Sequence, residues 1–191
     1  MGRSLLVLAV VLFSFVAITG AVSADPTASA TAHVYLNIDP NISVQAIDAN
    51  VNAGTLQTGD REVPITFRID ANTEAVSMSA LVTKLYKGDD PKSTIVAPIL
   101  PNQSAGVVMQ PDNANPVNGG SNVADYISDG QVTTEKGTFQ GKLTEQIVFE
   151  SSQNGHFSQN VEITPTWTNE DNEKPQGQYS GYVVLYTAVV S

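Results

Sequence analysis

The sequence of 191 residues contains no cysteine. No disulfide can hold the fold, so stability has to come from packing and backbone ladders. Histidine is nearly absent too, limited to His33 and His156. Without cysteine or paired-histidine spacing, no zinc-ligand set is present. No Gly-x-Ser-x-Gly elbow accompanies either histidine, which leaves no motif for nucleophilic catalysis, and an enzyme is not expected. Basic residues are scarce: nine Lys and Arg stand against 19 Asp and Glu, a formal charge of −10. That balance, with no basic patch, argues against nucleic acid and against anionic membrane surfaces as partners. The acidic run 169–173 lacks the Asp-x-Asp-x-Asp-Gly pattern of a calcium loop and reads as a solvated turn. No cofactor is expected. Nowhere does an apolar pattern of period 3.6 persist, and no internal repeat is visible, so neither a helical fold nor a solenoid is predicted.

What is present is alternation. Residues 1–24 read as a secretory signal: Arg3 supplies the positive end, 5–18 the apolar run, and Val22-Ser23-Ala24 the small-residue cleavage site. The mature chain then opens on residues 28–38, where Ala28, Ala30, Ala32, Val34, Leu36 and Ile38 alternate with Ser29, Thr31, His33, Tyr35 and Asn37. Strict alternation predicts a strand with one buried and one wet face. Asp39-Pro40 stops it, because proline has no N–H for a ladder and restricts the residue before it. The expected organisation is a signal peptide (1–24), a separable N-terminal strand (25–39) and one body domain (40–191).

Within the body, 43–47 is a weak strand candidate. Residues 63–69 put Val63, Ile65, Phe67 and Ile69 on one face, with Pro64 suiting a strand start or an edge. Residues 76–86 form a longer strand with Val76, Met78, Ala80 and Val82 inward. Leu81 and Leu85 lie on its other phase, which calls for a bulge or a second buried face. Residues 98–130 are dense in Pro, Asn, Gly and Ser and read as an exposed excursion with only a short strand near 107–109, a natural place for surface-specific binding. Leu143, Ile147 and Phe149 share a face of one strand. Val161, Ile163 and Trp167 share a face of another, in which Pro165 demands an edge or a bulge; Trp167 reads as core. The last strand, 179–190, is apolar on both faces. On it Tyr179, Gly181, Val183, Leu185 and Val189 are assigned inward, with Val184 and Tyr186 on the other side. Short strands between turns predict an all-β antiparallel sandwich.

Two stretches carry a resemblance. Val34-Tyr35-Leu36-Asn37-Ile38-Asp39-Pro40-Asn41-Ile42 resembles the start of the alpha-class chaperone–usher fimbrial major subunits, the colonisation-factor and cable pilin group. Lys174-Pro175-Gln176-Gly177-Gln178-Tyr179-Ser180-Gly181-Tyr182-Val183-Val184-Leu185 resembles their last strand. The resemblance implies an immunoglobulin-like body lacking its seventh strand, with a hydrophobic groove beside the last strand. A periplasmic chaperone would fill the groove first. The 28–38 strand of the next copy would replace it at an outer-membrane usher, giving a homopolymeric fimbria exported through the periplasm to the cell surface, where a host receptor or surface is the expected target. The residues agree independently: an apolar last strand with nothing following it needs a neighbour, and an alternating first strand can supply one. The competing reading is a monomeric secreted binding module, an adhesin or carbohydrate-binding sandwich, whose first strand pairs with its own sheet.

Overall fold

The computed structural model describes residues 32–190; the expected signal peptide, Ala28 and Ala30 lie outside them. In chain order the strands are β1 (Ile42–Ala46), β2 (Gly59–Glu62), β3 (Ile65–Ala71), β4 (Ala75–Thr83), β5 (Tyr86–Lys87), β6 (Leu100–Pro101), β7 (Val107–Pro111), β8 (Ala114–Pro116), β9 (Val123–Ala124), β10 (Tyr126–Thr134), β11 (Gly137–Thr144), β12 (Ile147–Ser151), β13 (Phe157–Asn169), β14 (Tyr179–Ser180) and β15 (Val183–Val189). A 3-10 turn at Val117–Gly119 is the sole helical piece among the described residues. Two antiparallel sheets pack as a sandwich. One has the order β1-β3-β13-β7-β9, with β2 and β6 also on β13; the other runs β10-β11-β4-β12-β8, with β15 also on β4. β14 and β5 form a separate small pair. The chain divides into two units, Met1–Asn37 and Ile38–Ser191, and the sandwich is the second.

β3, β4 and β13 build the core because their alternation fits a pleated sheet buried on the inner side. Ile69, Val76, Met78, Ala80, Val82, Val161 and Ile163 are all fully buried there. Each such aliphatic or thioether side chain larger than alanine contributes roughly 1.5–3 kcal/mol by leaving water. β4 is buried on both faces, as Leu81 on the opposite phase requires: Ser77, Ser79, Leu81 and Thr83 are buried as well. The β10–β11 hairpin folds over Leu81. It can do so because Gly130 and Gly141 pair across it: a Cβ on Gly130 would stand 2.5 Å from the Leu81 side chain, and one on Gly141 would stand 2.3 Å from the Val82 carbonyl. Trp167 is core, and its indole N–H donates to the Thr83 carbonyl at 2.9 Å, tying one sheet to the other.

Four expectations are corrected. Residues 98–130 are not an exposed excursion. β7 pairs with β13 from Val161↔Pro111 to Pro165↔Val107, and Val107, Met109 and Ala124 are fully buried. Pro165 sits in the middle of β13 with no bulge there. Opposite it the partner strand is broken at Pro64, between β2 and β3, so two prolines share one gap in the ladder and Val63 N–H still reaches the Pro165 carbonyl. The predicted strand through Leu143 and Phe149 is two strands along β4. Thr144, buried at the break, offers its hydroxyl oxygen to Ala80 N–H at 2.9 Å. The last strand is also two: Tyr179 pairs with β5 and Gly181 lies between β14 and β15, so neither shares a ladder with Val183, Leu185 and Val189. A Cβ on Gly181 would fall 2.6 Å from the Lys84 carbonyl oxygen and 2.6 Å from Thr83 Oγ1, so this crossing requires glycine.

Candidate functional site

Among the described residues β15 pairs with β4 alone and β1 with β3 alone, so each is the edge of its own sheet there. The two edges lie on the same side of the sandwich and approach within 8 Å, Cα to Cα, without a ladder between them. Neither carries a charged residue; the sequences are ISVQA and VVLYTAV. In an acidic protein this seam is neutral.

Backbone direction follows from the bonds at the ends of each strand, because a residue's N–H and C=O point to one side and the side alternates along the strand. Tyr182 C=O accepts from Thr83 N–H, and Val190 N–H donates to Ala75 C=O. The even-numbered residues therefore address β4, and Val183, Leu185, Thr187 and Val189 present their N–H and C=O to the open edge. On β1, Asn41 C=O accepts from Asn72 N–H and Ile47 N–H donates to Thr66 C=O. Ile42, Val44 and Ala46 thus face the open side. Asn72 also fixes the approach to β1: its amide donates to the Asp39 carbonyl at 3.0 Å, and its oxygen accepts from Asn41 N–H at 2.6 Å.

Side chains show the same incompleteness. Leu185 is buried, and Val183 packs on the core while half-exposed; Thr187 and Val189, on the same phase, are half-exposed. Ile42 and Ala46 pack on the core, yet Val44 between them, on the same face, is 41% exposed. A core-facing valine left open marks a place where the sandwich is not closed. Sequence reading found the β15 wall and missed the β1 wall, because Ser43 and Gln45 dilute a five-residue strand; the Ile42, Val44, Ala46 alternation was the available signal.

Of the alternating N-terminal residues, Ala32, Val34, Leu36 and Ile38 are described. Residues 32–40 form no strand within the chain, and Val34, Leu36 and Ile38 are 83, 85 and 80% exposed. Tyr35, on the opposite phase, is as open as they are, so the two faces of this stretch are not distinguished by anything in the single chain. The His33 and Tyr35 rings lie tilted at 50° to each other, centroids 4.1 Å apart, and His156 lies exposed in its turn. Comparison with known proteins adds no relative: no family model matches the chain, and no curated protein or solved structure matches it.

Proposed function

We propose that this chain is a structural subunit of a surface fimbria: an immunoglobulin-like pilin body short of one strand, completed by residues 28–38 of the next copy. The observation that carries the reading is the free edge of β15, uncharged and apolar, with its inward phase half-open against β1. Such an edge is an aggregation liability unless something covers it, and strand addition covers it with main-chain bonds and alternate side-chain pockets. Val34, Leu36 and Ile38 would each gain roughly 1.5–3 kcal/mol by burial there, and each ladder bond about 0.5–1.5 kcal/mol. Ordering the arm costs on the order of 1–2 kcal/mol per residue, so the joint's persistence would rest on slow release more than on summed contacts.

The seam sets a mechanical requirement. A strand hydrogen-bonded on both sides holds its neighbours about 9.5 Å apart, twice the usual spacing, and β1 and β15 are nearer than that. β1 must therefore swing outward to admit a donor. A periplasmic chaperone that holds the seam open and an outer-membrane usher that exchanges it for the arm are the partners this reading calls for, with a host surface as the fibre's target. The test is direct. Protein released from the producing cell and run unheated in SDS should give a ladder of multimers that collapses on boiling, and the same cells should show fibres by negative-stain microscopy. One band and bare cells would overturn the proposal and leave the monomeric binding module.

A further inference from the structure

A cleft of about 260 Å³ lies between β6 and the β10–β11 hairpin, lined by Lys84, Leu100, Gln103, Asp129, Gln140 and Lys142 among others. It gathers two of the nine basic residues of an acidic chain. Lys142 pairs with Asp129 at 2.7 Å. Lys84 is half-buried and belongs to none of the four ion pairs among the described residues. Its backbone N–H donates to the Gln140 carbonyl at 2.8 Å, which locks the residue beside the hairpin. Asp129 is held below the usual carboxylate range chiefly by the Lys142 hydrogen bond, with a smaller contribution from the charge of Lys84, so both ammonium groups act on one spot. The cleft therefore carries one positive charge more than it neutralises.

We propose that this cleft binds a saccharide bearing a single anionic group. The unpaired Lys84 ammonium supplies the charge-assisted contact. The amides of Gln103 and Gln140 offer donors and acceptors to hydroxyl groups, and Asp129, whose side chain is 84% exposed, can accept from a further hydroxyl. Leu100, 48% exposed, gives the apolar C–H face of a sugar ring a surface to lie on. The volume falls just short of the ~300–1,000 Å³ of sites for drug-sized ligands, which limits the occupant to about one ring. β11 flanks β4 on the edge opposite β15, so the site stays open whether or not the seam is filled, and it stands independently of the fibre reading.

Saturation-transfer NMR on the full secreted protein, as fibre or monomer, tests this with three probes: sialyllactose for a carboxylate, galactose 3-sulfate for a sulfate, and lactose as the neutral control. Transfer to at least one acidic sugar and none to lactose is expected; which acid responds identifies the anionic group. Lys84→Gln should weaken binding roughly tenfold or more, and Lys84→Arg should retain it, which separates loss of charge from loss of fold. No transfer, equal transfer to lactose, or full binding by Lys84→Gln would overturn the proposal. So would complete displacement by an equimolar concentration of inorganic sulfate, which would reduce the cleft to a simple anion site.

Discussion

β10 and β15 are both free edges of the same sheet, and they are built in opposite ways. β10 has a register irregularity between Tyr126 and Ser128 and an ion pair from Asp129 to Lys142, and apart from Ile127, 64% exposed at that irregularity, its outward side chains are polar. Bulges and charges are the usual devices that stop an edge from recruiting another strand. β15 has no bulge, charge, proline or glycine, and its Tyr186 is 48% exposed. One edge carries protective features and the other lacks them. β15 and β10 thus differ in the way the proposed subunit joint requires, and a general neglect of edges would not produce that difference.

The strongest way to break this contrast is to remove the strand that β15 is proposed to receive. Protein lacking residues 25–38 should be exported and form no fibres, because the receptive edge has no occupant. Fibres of the truncated protein under the electron microscope would show that β15 is not the joint.

Next comes the phase of the arm. Leu36→Asp should abolish the unheated SDS ladder, and Asn37→Asp should leave it intact. Both residues are exposed in the single chain, Leu36 at 85%, so neither change disturbs the body. They differ by one step of the pleat, which sends one carboxylate into an apolar seam and the other to water. Equal loss in both would indicate a charge effect; the reverse order would mean the faces are assigned backwards.

A matched pair then tests the two edges themselves. Thr187 lies on the inward phase of β15 and Thr133 on exposed β10. Thr187→Asp should weaken the subunit joint by about 1–3 kcal/mol or more, since a buried polar group without a partner costs at least that. Thr133→Asp should stay within about 0.5 kcal/mol, as surface changes usually do. The temperature at which the SDS ladder collapses reads both. Equal sensitivity would end the distinction between the edges.

How much of this was legible in the sequence depended on length and continuity of alternation. The inward faces of β3 and β13 were readable because Ile65, Phe67 and Ile69, and Val161, Ile163 and Trp167, hold period two over long stretches. β7 was anticipated only as a short strand near 107–109: Val107, Met109 and Pro111 alternate inward, but prolines and glycines around them gave a loop composition that hid its place in the buried sheet. The break at Thr144 was not legible, because a side-chain hydroxyl replacing a ladder acceptor leaves no periodic trace. Pro165 misled for a similar reason. A proline demands an unpaired position, and only pairing shows that Pro64 provides the gap. For the seam, the β15 wall was plain in VVLYTAV, whereas its opposite wall depended on which short strand the fold brings alongside, a long-range fact no local pattern contains.

The smallest effect expected is a difference in acid sensitivity between the edges. The tip of the β10–β11 hairpin is pinned by Lys136, whose ammonium pairs with Asp89 in the turn after β5; Ser180 Oγ also donates to Asp89, at 2.8 Å. The Lys136 hydrogen bond, aided by Ser180 and opposed by burial, lowers the Asp89 pKa. A carboxylate with a depressed folded-state pKa contributes stability that is full above its unfolded value, near 4, and is lost as pH falls through the folded one. Lys136 is 61% exposed, so solvent screening holds the contribution under about 1 kcal/mol. β15 contains no acidic or basic residue to respond in the same way. Hydrogen exchange, corrected for its intrinsic pH dependence, should therefore show Thr134 and Gly137 losing protection below about pH 4 while the amides shared by β4 and β15 keep theirs. Asp89→Asn should reproduce the loosened tip at neutral pH and remove most of its further response to acid. Parallel loss of protection at both edges would mean that acid acts on the sandwich as a whole, and the Lys136–Asp89 contact would no longer distinguish the pinned edge from the receptive one.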